Sequence, residues 1–235
     1  MLLKVNKSSN FTTKTRSNKK IQYLIVHYTG MQSERVSIRR LKDPKSRVSC
    51  HYFIARSGEI YRMVDDNKIA WHAGKSKWKN INNLNEYSIG IEIQNRGHSI
   101  GYQNFPKKQI FVLIKLIKIL MRKYKIKKAN ILGHSDIAPL RKLDPGEKFP
   151  WNFLSKKGAA IWYPKLKLRK FETNPKTRRK IFFRNIYKIG YRFFSLSKKS
   201  RKDPKIIMAF QRRFLPKEVN GKITNKTLKI SQLLT

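Results

Sequence analysis

Two histidines and one aspartate have the side-chain types and positions of a metal site. His27 ends one apolar run and His134 follows another, while Asp144 lies farther along the chain in an Arg-Lys-Leu-Asp-Pro-Gly segment. Two imidazoles and one carboxylate form a suitable three-ligand set for zinc, with a fourth position left for water. Water bound there becomes a nucleophile near neutral pH. The set therefore predicts a hydrolytic zinc centre, although each residue alone is more typical of a structural role.

Apolar periodicity predicts the elements that must position these side chains. Short apolar runs predict strands over residues 21–27, 51–55, 59–64, 88–94 and 129–132. A short helix is expected at residues 37–41, and a long amphipathic helix begins at Pro106, the first-turn position where proline is tolerated. Strands that alternate with helices predict an α/β fold with a central mixed β-sheet flanked by helices.

The composition divides the chain into three regions. Residues 1–19 are polar, basic and without periodicity, which predicts a flexible tail. Residues 20–165 carry the predicted sheet and the candidate ligands. Residues 172–235 are richer in Lys and Arg, and helical patterns at 204–214 and 224–234 predict a small all-α C-terminal domain.

The whole chain is strongly basic, with 55 Lys and Arg against 13 Asp and Glu and a net charge of +42. This balance predicts either association with a polyanion or a solvated basic surface, and the scattered lysines leave both interpretations open. The single cysteine, Cys50, excludes an internal disulfide, and its apolar neighbours favour a core position over metal ligation.

Six short motifs follow one another between residues 26 and 146. They are VHYT at 26–29, VSCHYF at 48–53, AWHAG at 70–74, SIGIEIQN at 88–95, GHSD at 133–136 and RKLDPG at 141–146. With these motifs, residues 20–160 resemble the zinc-dependent N-acetylmuramoyl-L-alanine amidases, whose fold is shared by the peptidoglycan-recognition proteins of animals. The resemblance implies a bacterial hydrolase that cleaves the amide bond between N-acetylmuramic acid and L-alanine of peptidoglycan or its fragments, in cell-wall turnover or recycling.

The resemblance also implies a role for each matched residue. It implies one Zn²⁺ per chain, held by His27, His134 and Asp144. It places the family's catalytic glutamate at Glu92 and its active-site lysine at Lys142. It places substrate-binding positions at Trp71, His72 and Asn95. For these three, core packing or the end of a strand remains an equal interpretation.

The chemistry of the two catalytic positions agrees with this assignment. Strand alternation interleaves Glu92 with isoleucines, so its carboxyl group should be partly buried and its pKa raised to values useful for proton transfer. A structural carboxylate is the alternative. Lys142 precedes Asp144 by two residues, which in extended backbone brings its ammonium beside the metal, where it can stabilise an oxyanion.

The C-terminal region resembles, more weakly, the three-helix peptidoglycan-binding module of wall hydrolases. The matching residues are 189–191, 209–214 and 220–228. A generic basic helical appendage is the alternative. We expect peptidoglycan or muropeptides as partners, a monomer, and no nucleic acid, because the charge is the only feature that suggests nucleic-acid binding. A binding-only recognition protein of the same fold is disfavoured because all three ligands are present.

Two features of the sequence predict different cellular locations for the protein. The first twenty residues lack the apolar segment of an export signal and a cysteine for lipid attachment, which predicts the cytoplasm. The weaker wall-binding resemblance favours the periplasm or the outer membrane instead. The apolar stripe after Pro106 is interrupted by lysines, so no transmembrane segment is expected.

Overall fold

The computed structural model describes residues 3–165 and 174–235. The strands in these ranges are β1 (Leu3–Val5), β2 (Phe11–Thr12), β3 (Tyr23–Tyr28), β4 (Tyr52–Ile54), β5 (Ile60–Arg62), β6 (Ile69–Ala70), β7 (Lys77–Trp78), β8 (Ile81–Asn82), β9 (Ser88–Ile93) and β10 (Ile131–Gly133). The helices are α1 (Glu34–Lys42), α2 (Lys107–Tyr124), α3 (His134–Ile137), α4 (Trp151–Lys156), α5 (Pro175–Ile189), α6 (Asp203–Phe214) and α7 (Asn225–Leu233).

Six strands form one central sheet in the order β1-β5-β4-β9-β3-β10. Only β4 and β5 pair antiparallel, and the other neighbours in this sheet are parallel. The predicted mixed α/β sheet is therefore confirmed. Because β9, β3 and β10 are adjacent and parallel, their carboxyl ends meet at one edge, which is where open α/β sheets place their ligand sites.

One face of this sheet is covered by the long helix α2. Alternate residues of β3 and β9 point toward it, namely Leu24, Val26, Ile89, Ile91 and Ile93, and they share a buried core with Leu113 and Ile117. The helix begins at Lys107, one residue after the predicted start at Pro106, and ends at Tyr124, because the left-handed φ of 55° at Lys125 stops it. The apolar face of α2, with its repeat of 3.6 residues, thus packs against the apolar face of the strands, with their repeat of two residues, in one core.

The C-terminal helices cover the opposite face. Tyr23, Ile25 and Leu132 of the sheet share one buried core with Phe182 of α5 and Phe210 of α6. The predicted all-α character of this region is confirmed, but its core is continuous with that of the sheet rather than separate. The stretch where the sequence predicts a domain boundary lies outside the described residues.

A buried polar cluster joins the C-terminal helices to the sheet. The carboxylate of Asp136 in α3 accepts hydrogen bonds from Arg213 of α6, from the Tyr191 hydroxyl at 2.5 Å and from the Gly133 amide at 2.8 Å. Arg213 also donates to the Ile131 carbonyl at 2.9 Å. Both Asp136 and Arg213 are almost fully buried. Separating this pair would leave a buried charge without its partner, which is strongly destabilising. The pair therefore holds α6 against α3.

The N-terminal residues correct the prediction of a flexible tail. Strand β1 adds a parallel edge to the central sheet, with Leu3 opposite Ile60, and β2 pairs antiparallel with β6. Asn10 is buried and donates to the Asp43 and Val48 carbonyls at 2.8 and 2.9 Å. These pairings join residues far apart in sequence, so the local polarity of residues 1–19 does not reveal them. No helix within the described residues is long and apolar enough to cross a membrane.

Candidate active site

The ends of two adjacent parallel strands bring His27 and His134 together. Gly133 at the end of β10 is in register with Val26 of β3, so the residues that follow each of them, His134 and His27, are neighbours at the sheet edge. His134 begins the one-turn helix α3. Both imidazoles are buried, with exposed fractions of 1% and 3% for His27 and His134.

Asp144 completes a compact triangle with the two histidines. The Nδ1 atoms of His27 and His134 are 2.9 Å apart, and each is 3.1 Å from Oδ2 of Asp144. Ligand atoms around a tetrahedral zinc ion, with bonds of roughly 2.0–2.1 Å, are separated by roughly 3.3 Å. The triangle therefore has the size and the donor chemistry of a three-ligand metal site, and these three residues can hold a metal ion.

The outer nitrogen of each imidazole is bonded away from the triangle. Nε2 of His134 lies 3.1 Å from the Ala73 carbonyl, which also accepts from Arg141. Nε2 of His27 lies 3.0 Å from Nδ1 of His72. A carbonyl only accepts, so this contact favours the His134 tautomer that has its proton on Nε2 and an unprotonated Nδ1 toward the triangle, as metal ligation requires.

The electrostatics of the triangle suit a cation. Burial, followed by the proximity of His134, lowers the pKa of His27 to about 4, so this imidazole is neutral near pH 7. Burial alone would raise the pKa of Asp144, but His134 and His27 hold it well below its ordinary value. A carboxylate and two imidazoles thus meet in a buried place, and a divalent cation would balance the negative charge of Asp144.

Glu92 lies beside the triangle on the neighbouring strand. It is in register with His27 across the β3–β9 pair, which places both side chains on the same face of the sheet. Its Oε2 atom is buried and finds no hydrogen-bond partner among the described residues. Burial, and then the nearby charge of Asp144, raise the pKa of Glu92 to about 8. The predicted raised pKa of this carboxyl group is therefore found at the predicted place.

A cleft of about 400 Å³ opens over these residues, and Lys142 contributes to its wall. The cleft is lined by all three candidate ligands, by Glu92, and by Trp71 and His72. The positive charge of Lys142 opposes the rise in the pKa of Glu92, so the two groups interact electrostatically across the cleft. The structure thus brings the predicted lysine, glutamate and ligand set together.

The three predicted substrate-binding residues have different positions. Trp71 is half-buried at the cleft wall and donates from Nε1 to Thr12 Oγ1 at 3.1 Å. His72 is buried behind His27. Asn95 is fully buried: its side-chain amide donates to the Gln103 carbonyl at 2.8 Å and accepts from the Gly97 and Gln103 amides. The prediction for Asn95 is corrected, because its side chain uses these hydrogen bonds to stabilise the loop between residues 95 and 103.

The structure adds residues that the sequence did not single out. Arg141 bridges the Ala73 and Lys75 carbonyls and lies 3.3 Å from Nε2 of His134. Tyr28 and His98 form another part of the cleft wall, with the Tyr28 hydroxyl 2.8 Å from His98 Nδ1. Arg141 adjoins Lys142 in the same motif, which was an available signal. His98 lies in a loop whose position depends on contacts that no local pattern encodes.

Comparisons with known proteins identify the family of this chain. A profile of the N-acetylmuramoyl-L-alanine amidase family matches residues 17–147. The N-acetylmuramoyl-L-alanine amidase AmiD of Escherichia coli is 33% identical over 92% of this chain and 82% of its own length. The chain belongs to the N-acetylmuramoyl-L-alanine amidase family. The 1,6-anhydro-N-acetylmuramyl-L-alanine amidase AmpD of Haemophilus influenzae is 36% identical over 56% of this amidase and 79% of its own length.

Solved structures extend the likeness across the whole amidase chain. The structure of E. coli AmiD, in complex with the substrate anhydro-N-acetylmuramic acid-L-Ala-D-γ-Glu-L-Lys, superposes with a TM-score of 0.82 and 30% identity, covering 95% of this chain and 91% of that one. AmpDh3 of Pseudomonas aeruginosa, in complex with anhydromuramic pentapeptide, gives a TM-score of 0.79 at 28% identity, covering 96% and 95%. Both likenesses extend beyond the family profile into the C-terminal helices.

Proposed function

We propose that this protein is a zinc-dependent N-acetylmuramoyl-L-alanine amidase that acts on peptidoglycan or its fragments. The observation that carries the proposal is the triangle of His27 Nδ1, His134 Nδ1 and Asp144 Oδ2, with Glu92 and Lys142 beside it in one cleft. Two imidazoles and a carboxylate favour zinc over magnesium and calcium, which prefer oxygen ligands. When bound, zinc would polarise the scissile carbonyl and make water more acidic.

The chain's own residues would move the protons and hold the developing charge. Water adds to the amide carbonyl carbon, and its proton passes to the carboxylate of Glu92. Glu92 then gives the proton to the nitrogen of L-alanine as the carbon–nitrogen bond breaks. The products are the lactyl carboxylate of the sugar and a free amine on the peptide. Burial raises the pKa of this carboxyl group from its ordinary value toward neutrality, the range in which one group can both accept and release a proton.

Lys142 would stabilise the oxygen of the tetrahedral intermediate. Its ammonium group lines the same cleft as Glu92 and Asp144. A fixed positive charge in a partly buried cleft stabilises an oxyanion more strongly than it would in water. Glu92 would therefore transfer protons, and Lys142 would stabilise the negative charge of the intermediate.

The substrate proposal rests on the cleft and on the relatives. A cleft of about 400 Å³ has room for one sugar with a short peptide, but not for several peptidoglycan strands side by side. The E. coli relative binds an anhydro-muramoyl tripeptide, and we extend small muropeptides of this class to the present chain. The Trp71 indole at the cleft wall offers an apolar face for a sugar ring.

A basic cluster in the C-terminal region supports a further part of the proposal, which is affinity for the anionic wall. The segment before and into α6 exposes five positive side chains, Lys198, Lys199, Arg201, Lys202 and Lys205. Carboxylates of peptidoglycan would be attracted to this basic cluster at low ionic strength. The cluster would add binding to intact sacculi, and the chemistry would remain in the cleft.

Metal content and muropeptide digestion together test the function. The purified protein should hold about one zinc per chain, lose activity to a chelator and regain it with added zinc. His134→Ala should lose most of the metal and nearly all amidase activity on an anhydro-muramoyl tripeptide. Lys45→Ala, an exposed lysine outside the cleft, serves as the matched control. Full zinc occupancy in His134→Ala would show that the ligand set is wrong, and an inactive zinc-loaded wild type would refute the amidase.

A further inference from the structure

A chain of three hydrogen bonds connects a backbone carbonyl to the candidate ligand His27. The Ser88 hydroxyl donates to the Leu84 carbonyl at 2.5 Å. The same Ser88 oxygen lies 3.3 Å from Nε2 of His72. Nδ1 of His72 lies 3.0 Å from Nε2 of His27. The chain therefore reaches from the start of β9 to the back of the metal site.

The carbonyl at one end determines the direction of every bond in this chain. Because a carbonyl only accepts, the single hydroxyl proton of Ser88 is used there, and the Ser88 oxygen accepts from His72 Nε2. A neutral imidazole carries one proton, so His72 Nδ1 is an acceptor and takes the proton that His27 holds on Nε2. His27 is then left with an unprotonated Nδ1, which is the atom in the ligand triangle.

The ring of His72 is held in this position by tight packing. A Cβ atom at Gly90 would lie 2.3 Å from Cγ of His72, so only glycine leaves room for the imidazole over β9. The ring of His51 packs edge-on against the other side, with centroids 5.6 Å apart. Nδ1 of His51 in turn accepts from the Gly90 amide at 3.0 Å. His72 is 8% exposed, so little of it is available to a ligand in the cleft.

We propose that His72 is a positioning residue, which fixes the tautomer and the ring orientation of His27 so that Nδ1 is ready to bind the metal. This inference rests on the proposed zinc function. It differs from the substrate-binding role that the sequence suggests for the same residue. Its partner is Ser88, whose oxygen fixes the proton of His72 on Nε2. Partners of this kind change metal affinity by about 10–100-fold when removed.

The test measures zinc affinity by competition with a chromophoric chelator in three full-length variants. His72→Leu removes the acceptor for His27 and should weaken zinc binding by about 10–100-fold. His72→Asn offers its Oδ1 near the position of Nδ1 and should restore an affinity close to that of the wild type. Ser88→Ala removes only one oxygen and should weaken zinc binding in the same direction, although less. Circular dichroism checks that each variant is folded.

The outcomes distinguish a failure of the positioning role of His72 from a failure of the proposed zinc function. Zinc affinity in His72→Leu and Ser88→Ala equal to that of the wild type, with a raised KM for muropeptide, would overturn the positioning role and favour substrate contact. If His72→Leu fails to fold, unchanged affinity in Ser88→Ala overturns the role by itself. A wild type that binds no zinc would overturn the proposed function, and the positioning role with it. Cobalt-substituted protein offers a second readout, since a misoriented His27 would alter its visible spectrum.

Discussion

Glu92 lies directly opposite His27 on two neighbouring parallel strands, with both side chains on the same face of the sheet. Adjacent strands are roughly 4.8 Å apart, so the carboxyl group stays close to the ligand triangle. Backbone pairing, rather than a mobile loop, sets this separation. A glutamate that is fixed beside the metal without being one of the three ligands can be changed without dismantling the site.

Replacing Glu92 by glutamine should therefore separate catalysis from metal binding. We expect Glu92→Gln to keep its zinc and its fold but to lose on the order of 10²-fold or more in kcat, the scale of one general acid–base group. Zinc analysis and the initial rate on an anhydro-muramoyl tripeptide measure the two properties. Wild-type turnover in this variant would reduce Glu92 to a structural carboxylate.

Lys142 should behave like an oxyanion contact. Lys142→Ala is expected to keep zinc and to lower kcat by about 10²–10³-fold, because its positive charge stabilises the transition state more than the ground state. Steady-state kinetics distinguish this effect from a loss of substrate affinity, which would raise KM alone. Lys45→Ala is the control, and a Lys142→Ala enzyme with normal kcat would remove the lysine from the mechanism.

The buried pair of Asp136 and Arg213 should dominate the stability of the interface between α3 and α6. Arg213→Met leaves the Asp136 carboxylate buried without its main partner and should lower the free energy of unfolding by about 3–5 kcal/mol. Arg201→Met, an exposed arginine near the same helix, should change it by less than about 0.5 kcal/mol. Urea denaturation measures both, and equal stability would show that the pair is not needed.

The buried histidines predict acid sensitivity of the metal-free protein. Burial lowers the pKa of His27 to about 4 and that of His51 to about 3, whereas an unfolded histidine has its ordinary value near 6.5. Between these values each of the two histidines binds more protons in the unfolded chain than in the folded one, so together they lower stability as the pH falls from about 6.5 through about 4. The raised pKa of Glu92 acts in the opposite direction, but it is one group against two. Urea midpoints in a chelating buffer at pH 7 and pH 5 measure this, and equal midpoints would contradict it.

The basic cluster should contribute to sacculus binding and not to chemistry. Replacing Lys198, Lys199, Arg201, Lys202 and Lys205 by glutamine should weaken binding to insoluble sacculi at low salt, and the difference should shrink as salt rises. Cleavage of soluble muropeptide should stay unchanged. The matched control replaces five exposed basic residues of the α2 region, Lys115, Lys118, Arg122, Lys125 and Lys127. Equal sacculus binding by both variants would show that only total charge matters.

The sequence predicted the elements that have a local pattern. The alternation in β9 correctly placed Glu92 opposite the isoleucine face, and α6 and α7 begin and end within one residue of their predicted limits. The strand ends that carry His27 and His134 were also predicted, since apolar runs followed by turn residues are local signals. Their convergence was inferred from the family resemblance, and the pairing of β3 with β10 is the physical cause.

The features that the sequence did not reveal depend on distant partners. Strand β1 is short, and Leu3 and Val5 remain exposed, so no periodicity marks it; its partner is β5. The family resemblance placed Asn95 at a substrate-binding position, with the end of a strand as the alternative. Its actual partner, the Gln103 carbonyl, belongs to a loop without a pattern. The C-terminal helices were predicted as a separate domain because amphipathicity shows that a face is buried and not what covers it.

The polar cluster around Asp136 also has a consequence for biosynthesis. As the chain leaves the ribosome, His27, Glu92, His134 and Asp144 all emerge well before Tyr191 and Arg213, which hold the segment that carries His134. A nascent chain that has reached Asp144 contains every ligand but lacks the arginine that neutralises Asp136. The sheet face that receives Phe182 and Phe210 is also uncovered at that stage. Metal loading should therefore follow translation of α6, and ribosome stalling before Arg213 should yield chains that have all the ligands and no stable site.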